Sequence, residues 1–255
     1  MKRIRLIRVT MAVALLSFAS MPVDAQTYRA PRTPDGKPDL QGIWQALNTA
    51  AWDIQDHTAQ LGVHAGRGVV ERDEIPYQPW AAEKKKKNHE TQMTADPENK
   101  CYLPGVPRAT YMPFPFQVVQ TPKYTAIAYE YNHALRVVYT DGSRHPDGLA
   151  PFWMGDSRAR WEGETLIVDV NNFTDQTWFD KAGNFHSDAL HVVERYTRTG
   201  PDHMNYEVTV EDPKVFTRPW KMSMVLYRRK EPNLQLLEYE CFAYQLDEEG
   251  RKATK

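Results

Sequence analysis

Apolar and polar residues alternate along this 255-residue chain from residue 116 onward. This period-two pattern is typical of strands with one buried face, because successive side chains on a strand point to opposite faces. One clear row is formed by Met204, Tyr206, Val208 and Val210. The pattern predicts nine strands, near 117–121, 124–131, 134–140, 157–161, 164–170, 189–198, 204–211, 220–228 and 234–243.

Short turn signals such as Asp141-Gly142 and Glu162-Gly163 separate these strands. No convincing amphipathic helix interrupts them, and a parallel sheet would need crossover helices. A long antiparallel meander exposes two edges unless it closes on itself. We therefore predict a mostly β fold, an antiparallel up-and-down meander closed or nearly closed into a barrel, with a sandwich as the alternative. A barrel of this size holds one small ligand.

Residues 26–115 have a different pattern and are predicted to form an extended, Pro-rich region, whose first part, residues 26–45, docks through Ile43 and Trp44. One short helix is predicted near 79–92, because Pro79 suits the first helical position. We expect this region to pack against the barrel of residues 116–255 as part of a single domain.

Residues 1–25 have the pattern of a signal peptide, with basic residues up to Arg8, an apolar run over 9–21 and a cleavage site after Ala25. The alternative is an uncleaved N-terminal anchor. The pattern predicts a periplasmic or secreted protein with no membrane span after cleavage. Without the four basic residues and one acidic residue of this segment, 28 basic and 32 acidic residues remain. This acidic balance argues against a nucleic-acid partner.

The only two cysteines are Cys101 and Cys241. In an oxidising compartment they can pair, and the pair would stabilise the fold by about 3–5 kcal/mol in the chain-entropy model. Whether they meet in space is left open by the sequence.

Strand 189–198 places ionisable residues on both of its faces. Glu194 shares one face with Leu190, Val192 and Tyr196, whereas His191 and Arg195 lie on the other. Whichever face is interior, a charged residue enters the barrel. A buried Glu194 would have a raised pKa unless a cation pairs with it, and a structural Glu–Arg pair is the alternative to a functional group.

Two functions from different classes are consistent with these residues. The first is a non-catalytic barrel that binds a small apolar or aromatic ligand with an acidic or polar end, and its predicted ligand-binding residues are Glu130, Arg136, Trp153, Phe173 and Trp178. The second is a cofactor-independent lyase, isomerase or hydrolase, and its predicted catalytic residues are His191, Glu194, Arg195, Asp169 and His186.

No nucleotide-binding or nucleophile-elbow motif is present, so we predict no cofactor. We also predict no metal, because His191 and Glu194 point to opposite faces of one strand. The connection 171–188 lacks periodicity but is rich in aromatic residues, and it is interpreted either as a lid over one barrel end or as a plug that closes it.

Several motifs together resemble a widespread group of exported, functionally uncharacterised bacterial proteins. They are PDLQGIW (38–44), PFQVVQTP (115–122), WMGDS (153–157), WEGETL (161–166) and HSDALHVVER (186–195). The resemblance spans nearly the whole chain after residue 25 and implies export and a single domain, but no reaction. The Trp161-Glu162-Gly163 turn is also similar to hairpins of calycin-type barrels such as lipocalins.

Overall fold

The computed structural model describes residues 28–60, 62–242 and 248–250. The predicted signal peptide therefore lies outside the described residues. Within them the strands are β1 (Gly42–Ala46), β2 (Phe116–Gln120), β3 (Tyr124–Tyr129), β4 (Leu135–Tyr139), β5 (Asp156–Glu162), β6 (Thr165–Asn171), β7 (His191–Arg198), β8 (His203–Glu211) and β9 (Trp220–Arg228). The α-helices are α1 (Pro79–Glu90), α2 (Gln92–Ala95) and α3 (Arg108–Tyr111), and Glu71–Asp73 and Pro97–Lys100 form short 3-10 turns.

These nine described strands close into one barrel in sequence order, which confirms the predicted fold class. The strand that closes it differs from the prediction. β1 pairs with both β2 and β9, so the first strand comes from the N-terminal region that was placed outside the barrel. The predicted strand 234–243 does not form over its described residues, where Tyr239 pairs with Tyr131 in an isolated bridge.

One neighbouring pair of strands is parallel. A closed ring in which every neighbour runs antiparallel needs an even number of strands, so nine strands force one exception. The exception is β4–β5, in which Val138 pairs with Ser157 and Tyr139 with Arg158. A parallel connection must return along the barrel and needs a dozen or more residues, and here residues 140–155 make that crossover.

Alternation along each strand directs large side chains into the barrel. The fully buried residues include Trp44, Phe116, Tyr206, Met222 and Leu226, one or two from each of four strands. Burying a large apolar side chain stabilises a fold by about 1.5–3 kcal/mol, so this filled interior is a major source of stability. The barrel is consequently packed with side chains along much of its length.

The connection 171–188 closes the barrel end at which β6 ends and β7 begins. Its residues Phe173, Phe179 and Phe185 are each at most 2% exposed. The Phe179 ring packs edge-on against Trp220 of β9, with the ring centroids 5.7 Å apart. Of the two interpretations of this segment, the structure agrees with an aromatic plug.

The helix near 79–92 is confirmed as α1, which begins at Pro79. The structure also pairs Cys101 with Cys241 in a disulfide, with a Cα–Cα distance of 5.4 Å. This bond joins the turn after Pro97–Lys100 to the segment that follows β9. None of the helices in the described ranges is long and apolar enough to span a membrane.

Candidate functional site

A cluster of charged and hydroxyl groups lies in the barrel interior. Glu194 of β7 is fully buried, which shows that the face carrying Val192, Glu194 and Tyr196 is the inner one. Arg136 of β4 reaches across the lumen and donates two hydrogen bonds to its carboxylate, one of 3.1 Å from Nη1 and one from Nη2. Bidentate pairs of this kind are the strongest charge-assisted hydrogen bonds.

Hydroxyl groups complete this interior cluster. Tyr196 and Tyr206 donate to Glu194 Oε1 at 2.8 and 2.7 Å, and Arg136 Nε donates to Ser157 Oγ at 2.9 Å. Burial alone would lower the pKa of Arg136, but the attraction of Glu194 outweighs it and the pKa lies well above its usual value. Arg136 was predicted to hold the carboxylate of a ligand. Instead it holds a carboxylate of the protein.

A second cluster lies on the outer wall of the barrel. Asp169 of β6 accepts from the Nε2 atoms of two histidines, His145 at 2.9 Å and His191 at 3.1 Å. His145 Nδ1 lies 2.6 Å from Asp156, and His191 Nδ1 lies 3.6 Å from Glu211. His145 and His191 also line an open cleft of about 420 Å³, the wall cleft, between the crossover and the start of β7.

The structure thus joins two of the five predicted catalytic residues, Asp169 and His191, and separates the rest. Glu194 is inside the barrel, whereas Arg195 is on the outside, 3.7 Å from Glu162. His186 is buried within the plug, where its ring nitrogens contact Thr177 at 2.6 Å and the Ser187 carbonyl at 2.9 Å. Burial lowers the pKa of His186. This arrangement does not support an acid–base site composed of those five residues.

The predicted ligand-binding residues are also dispersed. Glu130 accepts from the Leu237 backbone N–H at 2.8 Å and so holds the segment after β9. Trp153 packs against Tyr102 with ring centroids 4.8 Å apart. Phe173 and Trp178 belong to the plug, where Trp178 is bridged to Phe185. With Arg136 in the lumen, these five residues form no common pocket in the described parts of the chain.

A third cluster surrounds a pocket of about 240 Å³ beside the plug, here named the end pocket. It lies between the loop after β1, helices α1 and α2, and the plug. Its lining combines aromatic and apolar groups with ionisable ones: Trp52, Asp53, His57, Gln60, Gly62, Val63, His89, Gln92, Met93, Lys181 and Ala182. A compact pocket with a few converging polar groups is the usual form of a small-molecule site.

Asp180 holds two walls of the end pocket in place. Its carboxylate accepts from the Ile54 backbone N–H at 3.0 Å and from Asn184, and the Lys181 backbone N–H donates to the Ala51 carbonyl at 3.2 Å. Burial, together with the charge of Asp53, raises the pKa of Asp180 to about 7. Burial also raises the pKa of Asp53. Perturbed carboxyl groups of this kind cluster at functional sites.

Our sequence predictions did not include Asp53, His57 or Lys181. These residues come from the loop after β1 and from the plug, more than a hundred positions apart, so no local spacing connects them. The only available signal was the aromatic–acidic pair Trp52-Asp53 within an otherwise unassigned loop.

Among the residues that the structure describes, no group of three or more His, Cys, Asp or Glu side chains is arranged to hold a metal ion. Comparison of the chain with protein-family models, with curated proteins and with solved structures gives no match.

Proposed function

We propose that this protein is an exported binder of a small organic molecule, with the ligand in the end pocket rather than in the barrel lumen. The observation that carries the proposal is the lining of that pocket, where an aromatic ring, Trp52, and a cationic group, Lys181, border one partly open space. The ligand class is an aromatic or apolar body with an acidic end.

The size of the pocket supports a compact ligand. A cavity of about 150 Å³ holds one benzene molecule. The end pocket, at about 240 Å³, has space for one ring with a short substituent. Trp52, Val63 and Met93 supply apolar surface for the ring.

The charges of the pocket support the acidic end. Lys181 is one-third exposed and lies 3.3 Å from Glu98. An ammonium group has three N–H donors, so donors remain for a ligand beside this contact. His57 and His89 line the same space, and burial favours the uncharged form of Asp53. A carboxylate on the ligand would be attracted by Lys181 and by any protonated histidine.

The interior of the barrel is a poorer candidate for the same ligand. The carboxylate of Glu194 already accepts four hydrogen bonds from Arg136, Tyr196 and Tyr206. A ligand there would have to displace these bonds and leave buried charges without partners, which costs several kcal/mol.

Export is supported by two observations. Residues 1–25 have the composition of a signal peptide, and the disulfide between Cys101 and Cys241 is of the kind that persists in oxidising compartments. The resemblance of the motifs to exported bacterial proteins agrees with both.

Calorimetric titration with three matched probes tests the proposal: phenylacetate, toluene and benzylamine. We expect phenylacetate to bind most tightly and benzylamine most weakly. Trp52→Ala and Lys181→Met should each weaken phenylacetate binding about tenfold or more, since aromatic and charged anchors carry most of the binding energy at interfaces. Native mass spectrometry of protein from its own host would show whether a co-purifying mass disappears in the same variants.

Trp80→Ala and Tyr206→Phe serve as the matched controls. Trp80 is 53% exposed on α1 and does not line the end pocket, and Tyr206 belongs to the lumen cluster. Both should bind phenylacetate like the unmodified chain. Loss of binding in Tyr206→Phe together with full binding in Trp52→Ala would place the ligand in the lumen and refute the proposal.

A further inference from the structure

One side chain attaches the middle of the crossover to the outer wall of the barrel. In the stretch 141–150 every residue except His145 is exposed. Residues 144–149 are here named the strap, and residues 145–149 of it line one side of the wall cleft. The contacts of His145 therefore decide whether the strap lies against β5 and β6.

Both ring nitrogens of His145 face carboxylate oxygens. Nδ1 is 2.6 Å from Asp156 Oδ1, and Nε2 is 2.9 Å from Asp169 Oδ1. A neutral imidazole has one N–H donor and one bare nitrogen, whereas the imidazolium ion donates from both. Only the protonated ring can satisfy both contacts, because a bare nitrogen would place its lone pair against that of a carboxylate.

Other charged groups also contact these two carboxylates and the strap. Burial alone would raise the pKa of Asp156, but hydrogen bonds from Arg158 and His145 lower it below its usual value. Asp169 also contacts His191, which in turn faces Glu211. The strap itself carries Arg144 and Asp147, and Asp188 across the cleft is paired with Lys214.

The two ends of the strap have anchors that do not depend on histidine. Before it, Arg158 Nη1 donates to Ser143 Oγ at 2.6 Å. After it, the Phe152 backbone N–H donates to the Asn172 carbonyl at 2.9 Å, and Asn172 Nδ2 donates to the Ala150 carbonyl at 3.0 Å. Loss of the His145 contacts would therefore free the strap alone and leave the crossover attached at both ends.

From this geometry we infer that His145 is a proton-operated latch. When protonated it bridges Asp156 and Asp169 and holds the strap against the wall. When it loses a proton, one of the two contacts becomes a repulsion between lone pairs, so the strap loosens and the wall cleft, with Asp169 and His191, becomes open to larger molecules. Raising the pH removes this proton, so the latch opens as the pH rises. The end pocket is not involved, so this inference is independent of the proposed ligand.

Nitrogen-15 relaxation of the full chain after signal cleavage, in buffer with EDTA, tests the latch at pH 5.5 and pH 8. We expect backbone order parameters of residues 147–149 to fall from values typical of rigid backbone, about 0.85, to below about 0.6. In His145→Gln they should be low at both pH values, because the amide has no charge and carries both of its N–H donors on one nitrogen, so it cannot bridge two carboxylates from opposite sides as the imidazolium does. The imidazole nitrogen shifts should show His145 protonated on both nitrogens at pH 5.5.

His203→Gln is the matched control, since His203 is exposed at the start of β8 and packs against Tyr227. It should retain the full pH response. Circular dichroism identifies any variant that fails to fold, and trypsin cleavage after Arg144 gives a second measure of strap release. The inference is overturned if residues 147–149 are equally ordered at both pH values in the unmodified chain, or if His145→Gln keeps the response.

Discussion

Arg136 of β4 and Glu194 of β7 meet across the lumen as a fully buried, bidentate ion pair, although two strands separate them around the barrel. Together with Tyr196, Tyr206 and Ser157 this pair connects four strands through their side chains. The ion pair therefore links strands of the barrel to one another through its interior.

Removal of one partner should be strongly destabilising. Arg136→Met leaves Glu194 charged and unpaired in the interior, so we expect the free energy of unfolding to fall by about 3–5 kcal/mol. The double variant Arg136→Met/Glu194→Met should recover much of this loss, because it removes both charges. Arg195→Met is the control, since Arg195 is partly exposed on the outside of the barrel and its contact with Glu162 is worth about 0–1 kcal/mol. Urea unfolding measures the free energy of unfolding of all three variants. A loss below about 1 kcal/mol for Arg136→Met would contradict a stabilising role of the ion pair.

The disulfide should be a major source of stability. Cys101 and Cys241 are 140 residues apart in sequence, and closing so long a loop is worth about 3–5 kcal/mol. We expect Cys101→Ser/Cys241→Ser to lose this amount in urea unfolding at neutral pH. The reductant dithiothreitol should destabilise the unmodified chain equally and leave the double variant unchanged. An effect of the reductant on the double variant would show that it acts elsewhere.

Asp180 should make stability depend on pH. Its pKa of about 7 exceeds the value of 3.8 expected when unfolded, so between these values the folded protein binds more protons than the unfolded chain. The contribution of Asp180 is thus complete below pH 4 and declines as the pH rises towards 7. Between pH 5 and pH 7 the expected decline is roughly 2 kcal/mol.

Asp180→Asn should remove this part of the pH dependence in urea unfolding, even if it lowers stability at pH 5. Asp188→Asn is the matched control, because Asp188 is an exposed carboxylate whose hydrogen bond with Lys214 lowers its pKa. It should keep the decline between pH 5 and pH 7. If Asp180→Asn retains the same slope as the unmodified chain, another group is responsible.

Local patterns were sufficient for much of the barrel. The alternation at Met204, Tyr206, Val208 and Val210 predicted β8, and similar rows predicted the strands from β2 to β9, because burial of one face dictates period two wherever it occurs. The same reasoning placed Glu194 and Tyr196 on one face of β7. It left open which face was interior, because both faces carry ionisable residues.

Closure depended on contacts between distant residues. Gly42–Ala46 and residues 234–243 both contain apolar residues in an extended pattern, and only the pairing of Trp44 with Phe116 and Arg228 shows which segment completes the ring. A closed barrel of nine strands requires a parallel pair, but that β4 and β5 form it depends on how the crossover of residues 140–155 returns along the barrel. The end pocket was hidden for a related reason, since Trp52 and Lys181 meet only after the plug has docked.

The sequence by itself determined the class of fold and the position of most strands, because these follow from local periodicity and turn residues. The tertiary structure alone decided which segment closed the barrel, which face of β7 entered it, and that Arg136 met Glu194. The physical reason is that hydrogen-bond registers and ion pairs join residues whose separation along the chain carries no periodic signal.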